Sequence, residues 1–395
     1  MKCGELIPDG ARFCKGCGVK ANNQAVQFEQ PRQPEPPPKR KKKKAPVIIT
    51  IIVALIAVSA AFSFFYFRSA LGNAPDMRAN PRGPERMQAS GVDALSRIGA
   101  SRNTSKYTFL VLGADQGGAN TDVIMAVTFD TSAGTLEVAS IPRDTMVNVD
   151  WRLKKANSIF ANMRARSSGE RDSESKTMEM TVEAFADVLG YEVDYWVSVD
   201  MRAFVSLIDA IGGVVFDVPV NMNYTDSVGG LYINYTAGTH HLSGSQALEV
   251  LRFRSGYSNA DIGRIRTQQS FLKSAAEQIL ENRSSLSLTD LANVFINNVK
   301  TDLKLSDLIW FGREFMKLDS DSITFHVMPG NASDSVGVQS YVTIYVDEWL
   351  ELINDSLNPF NNDITTDDVS ILTRGADRKL YVTDGNRRGD ASWGS

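Results

Sequence analysis

The chain has 395 residues, of which 43% are hydrophobic and 22% charged, and a formal net charge of -4. That size allows one large domain with accessories. The composition excludes wholesale disorder, and the mild acidity argues against nucleic acid as the main partner. All three cysteines, Cys3, Cys14 and Cys17, lie at the N-terminal end. The remainder therefore has neither a disulfide framework nor thiol chemistry, and the three suit a metal knuckle in a reducing compartment.

Residues 1–20 run Cys3-Gly4, Ile7-Pro8, Phe13-Cys14-Lys15-Gly16-Cys17-Gly18, a pattern similar to a bacterial zinc ribbon. A structural Zn²⁺ takes four ligands. Here Cys14 and Cys17 form one knuckle and Cys3 is the end of another whose partner would precede Met1. The expectation is an incomplete ribbon, either a Zn²⁺ site or a degenerate one. Residues 21–44 form a cytoplasmic linker, rich in Gln, Asn and Pro, that closes on the cationic run Lys39-Arg40-Lys41-Lys42-Lys43-Lys44.

Residues 45–67 carry no charge and end in Phe64-Phe65-Tyr66-Phe67. As a helix they span about 35 Å, enough for the hydrocarbon core. The basic run before them predicts a single-pass cell-membrane protein with a cytoplasmic N-terminus and everything after Arg68 outside. Residues 68–105 read as a stalk.

From Lys106 the pattern predicts strands at Tyr107–Leu112, Val123–Phe129 and Leu136–Ile141, a helix at Thr177–Leu189 and a strand at Tyr195–Val199. Asp200 is a predicted N-cap for a helix over Met201–Ile211 that stops at Gly212-Gly213. A strand at Val214–Val218, helices near Ser243–Val250 and Asp261–Asn282, a helix at Leu303–Lys317, a strand at Ile323–Val327 and a largely helical Ser340–Leu357 follow. This alternation predicts an α/β fold over residues 106–358: an α/β/α sandwich with a mixed central sheet. Residues 359–395 read as a tail with one short hairpin, Val369–Leu372 with Leu380–Val382.

Three segments carry candidate chemistry. Asp115 and Asp122 flank a Gly-rich loop. Two carboxylates so placed can share a hard cation such as Mg²⁺; the plain alternative is that both cap turns. Ser140-Ile141-Pro142-Arg143-Asp144 halts a strand at proline and delivers an ion pair to the sheet edge. Arg252 and Arg254, read as extended chain, point to one face while Leu251 and Phe253 pack on the other. On the next helix Arg264 and Gln268 share a face, Arg266 points away, and Ile262, Ile265 and Leu272 line another. Guanidinium forks converging on one pocket suit phosphate oxygens, and a solvated charged face is the alternative.

These segments resemble the LytR–CpsA–Psr family of Gram-positive-type cell envelopes. The matching pieces are Leu112–Asp115, Thr121-Asp122, Ser140–Asp144, Lys155–Asn157, Asp209–Val214, Gly238–Leu248, Arg252–Arg254, Asp261–Ile265 and Gln268-Gln269. The resemblance implies that Asp115 and Asp122 hold Mg²⁺, or Mn²⁺ in its place. It also implies that Arg143, Arg252, Arg254 and Arg264, with Gln268, grip a diphosphate, while Lys155 and Asp144 order the site. It implies as partners a polyprenyl diphosphate-linked glycan, membrane lipid and peptidoglycan, and a reaction that moves the glycan phosphate to peptidoglycan. Asn120 and Thr267 stand where the family often has arginine. The competing expectations are a lipid-diphosphate glycan hydrolase and a non-catalytic envelope sensor. An apolar tunnel for the prenyl chain is expected from Phe185, Val188, Leu189, Phe204, Leu207, Ile208 and Ile211.

Overall fold

The computed structural model describes residues 74–77, 102–114, 121–226, 231–254 and 260–389. The cysteine-bearing head with its candidate Zn²⁺ ligands Cys3, Cys14 and Cys17, the linker, the apolar segment 45–67, and Asp115 and Asn120 all lie outside the described residues. Among the described residues no helix is long and apolar enough to cross a membrane.

The chain runs β1 (Lys106–Ala114), β2 (Thr121–Asp130), β3 (Thr135–Ser140), α1 (Ser158–Arg166), α2 (Ser173–Leu189), β4 (Tyr195–Val199) and α3 (Met201–Ala210). It continues with β5 (Val214–Val218), β6 (Met222–Asp226), β7 (Leu231–Tyr235), β8 (Gly238–Leu242), α4 (Gly244–Arg252), α5 (Ala260–Glu281) and α6 (Leu288–Asn298). The remaining elements are β9 (Lys300–Thr301), α7 (Leu305–Phe315), β10 (Ile323–Val327), β11 (Gly330–Val336), β12 (Gln339–Ile344), α8 (Val346–Leu352), β13 (Leu372–Arg374) and β14 (Leu380–Val382).

Six strands make the central sheet in the order β10-β3-β2-β1-β4-β9. β1 is antiparallel to β2 and parallel to β4, and β3 is parallel to β10, so the sheet is mixed as expected. β1 is apolar on both sides because both faces are covered. Leu110 and Leu112, with Ile124 and Ala126 of β2, face a core built from Phe185, Val188 and Leu189 of α2 and Trp349 of α8. The Trp349 indole is fully buried and its Nε1 donates to the Val188 carbonyl at 2.8 Å. Alternate β1 residues, Tyr107 and Phe109, face the other way, where the Phe311 ring of α7 lies 5.0 Å and 5.1 Å from theirs. Farther along that face come Val111 and Gly113.

Several local expectations hold. Asp200 caps α3, its carboxylate accepting from the Ala203 amide at 2.8 Å, and Gly212 and Gly213 end that helix at φ +85. Others need correction. Ser340–Leu357 is largely helical, over Val346–Leu352 and a π-helical turn at Ile353–Leu357, but residues up to Ile344 form β12. The β-branched Thr343 and Ile344 pair across β11 and Val342 bridges to Thr145, which a helix reading overlooks. The helix near Ser243–Val250 extends to Arg252, which is therefore helical rather than extended. β5 joins β8 in a separate two-stranded sheet, and the pair β6–β7 forms another. The hairpin near the end pairs β13 with β14, its first strand starting three residues and ending two residues later than the sequence suggests.

Stretches outside residues 106–358 also pack onto this body. Met77 joins the cluster around Phe311, and the Tyr195 hydroxyl donates to the Asp76 carbonyl at 2.7 Å. Ile364, Val369 and Ile371 belong to the core on the α2 side.

Candidate active site

Beneath α3, α4 and α5 the sheet leaves a cavity of about 780 Å³. Its floor is the sheet face opposite the main core: Val111 and Gly113 of β1, Val123 and Met125 of β2, and Val199 at the end of β4. Gly113 is required there, because a Cβ would stand 2.9 Å from the Val123 Cβ, where the register of β1 and β2 slips. The roof is Met201, Phe204, Leu207 and Ile208 of α3, Leu248 and Leu251 of α4, and Leu272 of α5, with Tyr224 and Leu231 from the β6–β7 hairpin. The walls are apolar.

Charge is confined to a few positions. Arg252, Arg254, Arg264 and Gln268 line the cavity, as do Asp122, Asp200 and Asp226. Arg252 closes α4, and Arg254 follows the extended residue Phe253, so both reach the cavity while Leu251 and Phe253 stay buried. On α5 Arg264, Gln268 and Leu272 follow at intervals of four and all line the cavity. Leu272 thus shares the Arg264 stripe instead of the face of Ile262 and Ile265. Arg266 is exposed, as its helical phase demands. The Gln268 amide donates to the Leu251 carbonyl at 3.4 Å, tying α5 to α4.

Asp122 is the hub of the ionic network. Arg143 Nη1 donates to its Oδ1 at 2.8 Å, and Arg254 Nη2 lies 3.3 Å from its Oδ2. Burial alone would raise this carboxyl. The Arg143 hydrogen bond and the charges of Arg143, Arg254 and Arg264 outweigh it and hold Asp122 below the ordinary carboxylate range. Behind Arg143, its Nε lies 4.0 Å from Asp144 Oδ2, and Lys155 Nζ pairs with Asp144 Oδ1 at 3.0 Å. The Lys155 ammonium also sits 5.4 Å over the Tyr341 ring. Backbone bonds pin this turn: the Asn157 amide donates to the Arg143 carbonyl and the Val342 amide to the Asp144 carbonyl.

The structure therefore brings Asp122, Arg143, Arg252, Arg254, Arg264 and Gln268 together, with Asp144 and Lys155 one ion pair farther back. Thr267, at a position where the family often has arginine, is buried and its hydroxyl donates to the Gly263 carbonyl at 3.1 Å, so it does not reach the cavity. The expected tunnel residues divide. Phe204, Leu207 and Ile208 line the cavity, and Ile211 packs in the neighbouring cluster. Phe185, Val188 and Leu189 lie across the sheet in the main core, because α2 covers the opposite face. The sheet residues of the floor were missed, although the alternation of β1 and β2 marks them.

Magnitudes show which contacts can yield to a ligand. The Arg254–Asp122 pair has side chains 47% and 36% exposed, so it contributes about 0–1 kcal/mol and is readily exchanged. Arg264 is 2% exposed, and its charge is felt at Asp122. A guanidinium held in so dry a place favours an anionic guest at the cavity mouth.

Comparison with known proteins identifies the family. The LytR_cpsA_psr family model matches residues 77–358. The Cell wall biosynthesis protein LcpA of Corynebacterium glutamicum is 28% identical over 286 residues, covering 68% of this chain and 54% of that protein. This chain thus spans about half the length of that relative. The polyisoprenyl-teichoic acid–peptidoglycan teichoic acid transferase TagU of Bacillus licheniformis is 24% identical over 289 residues, 72% of this chain and 85% of that one. The structure of a LytR-Csp2A-Psr enzyme from Actinomyces oris superposes with a TM-score of 0.50 at 25% identity, covering 64% of this chain and 90% of that one.

Proposed function

We propose the following for a chain that belongs to the LytR–CpsA–Psr family: it is a membrane-anchored phosphotransferase that moves an anionic glycopolymer from a polyprenyl diphosphate carrier to peptidoglycan. One observation carries this reading. A single cavity of about 780 Å³ combines apolar walls long enough for hydrocarbon with three arginines and an ionised aspartate. A prenyl diphosphate is such an amphiphile, and a ligand site of this size with few convergent polar groups is the usual design.

In this reading Met125, Phe204, Leu207 and Leu272 take the hydrocarbon, and Arg252, Arg254, Arg264 and Gln268 bind the diphosphate oxygens. A hydroxyl of a peptidoglycan sugar attacks the glycan-linked phosphorus. The P–O bond to the distal phosphate breaks, prenyl monophosphate leaves, and the hydroxyl proton passes to a base. The arginines act because negative charge on the bridging oxygen grows in the transition state, and fixed guanidinium groups in a dry site stabilise it without reorganising. Arg143 and Lys155 position Asp122 and Asp144 and do not themselves line the cavity.

Asp122 is a hard oxygen donor kept ionised at the cavity wall, which fits Mg²⁺ or Mn²⁺. Asp122 and Asp115 would hold that ion, which supplies charge neutralisation on the diphosphate. Among the described residues no cluster of three or more His, Cys, Asp or Glu forms a metal site, so further ligands would come from Asp115, water and substrate. The apolar segment 45–67 would anchor the protein with this domain outside the cell membrane. Cys3, Cys14 and Cys17 would contribute ligands to a Zn²⁺ site on the cytoplasmic side.

The test is incubation of the purified protein with a prenyl diphosphate-linked glycan and peptidoglycan. Covalent glycan phosphate on the wall polymer is the expected result. Free glycan phosphate with none attached would replace transfer by hydrolysis, and no turnover would favour a sensor.

A further inference from the structure

Residues after 358 lie beyond the segment matched by the family model, yet they build a second concave site. β13 and β14 pack beside the β11–β12 hairpin around Met146, Tyr341, Leu372 and Val382. Between the two hairpins opens a cleft of about 440 Å³, lined by Arg374, Arg378, Lys379 and Arg387 together with Ser335–Gly337 and Leu380. Among the described residues no carboxylate lines it, although Lys379 Nζ lies 3.9 Å from Asp377 Oδ2.

Two of the cations are held in place by contacts of their guanidinium groups. Arg374 is fixed by Asp334 at 2.7 Å, by the Ser335 carbonyl at 3.0 Å and by the Arg378 carbonyl at 2.5 Å. Arg387 donates to the Leu380 carbonyl at 2.8 Å. Arg378 has φ +66, and it is the one non-glycine residue with positive φ among the described residues. A long side chain is kept there at a conformational cost that glycine would remove, which points to a use for the side chain. The adjacent Arg388 differs: it is paired with the buried Asp187 at 2.5 Å and belongs to the fold.

A chain of contacts through one hairpin links the residues beside the cleft to Asp122 of the main site. Tyr341 of β12 lies under Lys155, which leads through Asp144 and Arg143 to Asp122. Across the hairpin, Ser335 of β11 pairs with Ser340 and lines the cleft.

We propose that this cleft is a polyanion subsite that binds charged repeat units of the donor glycopolymer while the diphosphate end occupies the cavity. The proposal rests on the donor-site reading of that cavity. Guanidinium and ammonium groups recognise phosphodiester and uronate repeats alike, so the shared chemistry is a repeating anion on a flexible chain.

The experiment uses the full chain in detergent and two lipid-free probes, a poly(glycerol phosphate) oligomer and an oligogalacturonate. Binding of one of them is expected, with an affinity that falls as salt rises. The double variant Arg378→Gly/Lys379→Ser should weaken it about tenfold; both side chains are exposed and the glycine suits the local φ, so an unchanged melting temperature is expected. Arg252→Ala should leave oligomer binding intact while weakening binding of farnesyl diphosphate. Oligomer affinity unchanged in the double variant, or a loss confined to binding of a soluble muropeptide, would overturn the subsite. Farnesyl diphosphate binding unchanged by Arg252→Ala would instead overturn the donor-site reading and leave a polyanion cleft without its polymer.

Discussion

Asp122 is held between arginines from two different parts of the chain, Arg143 after β3 and Arg254 after α4, and its titration reports on both. Its folded value lies below the ordinary 3.8. The stabilisation it brings is therefore complete above the unfolded value and is lost only as pH falls through the folded one. Between about pH 5 and 8 the pairing contributes no pH dependence. Following the Asp122 carboxyl by NMR should give a midpoint below 3.8 that moves upward in Arg143→Ala, and an unmoved midpoint would count against the network. Arg264 makes a second residue-scale case. A buried guanidinium that serves a ligand can be replaced by an apolar side chain at little cost to the fold. Arg264→Met should weaken prenyl diphosphate binding at least about tenfold with a melting temperature near wild type; a collapse of stability with binding retained would make Arg264 structural. Much at this scale was legible in the sequence. Spacing put Arg264 and Gln268 on one face and Arg266 on another. The same spacing carried one turn farther would have found Leu272, which was assigned by hydrophobicity to the core stripe instead.

The elements were legible where periodicity was clean. β1, β4, α3 and α5 form within a residue or two of expectation because their apolar positions alternate or repeat, and Asp200 caps α3. β12 was hidden, since Ser340–Leu357 contains a short strand run directly into a helix. The side of the sheet taken by each helix was not legible at all. α2 and α3 are both amphipathic, and only tertiary packing decides that α2 covers the main core and α3 roofs the cavity. The roof depends on a close approach: a Cβ on Gly244 would press into the Val205 backbone of α3. Gly244→Ala is expected to destabilise the protein by about 1–3 kcal/mol, seen as a lowered chemical-denaturation midpoint. An unchanged midpoint would mean that α3 and α4 can part freely.

For the whole molecule, the matched family segment ends at residue 358, but the core does not. Ile364, Val369, Ile371 and Leu372 are each 5% exposed or less. At roughly 1.5–3 kcal/mol per buried side chain they contribute about as much as the net stability of an ordinary domain, on the order of 5–15 kcal/mol. A chain truncated after Asn358 should fail to give a cooperative unfolding transition, and a truncation that melts like the full chain would remove those residues from the core. Sequence reading treated residues 359–395 as a tail because their apolar residues are few and widely spaced. Ile364, Val369 and Ile371 dock on the α2 side of the core, and Leu372 docks with the β13–β14 hairpin.

The most direct measurement is a crystal structure of the protein with a sugar-linked prenyl diphosphate bound. The account predicts the phosphorus atoms among Arg252, Arg254 and Arg264, and the hydrocarbon running over Met125 beneath Phe204 and Leu207. A diphosphate bound elsewhere, or a tail emerging into solvent with that cavity vacant, would contradict it.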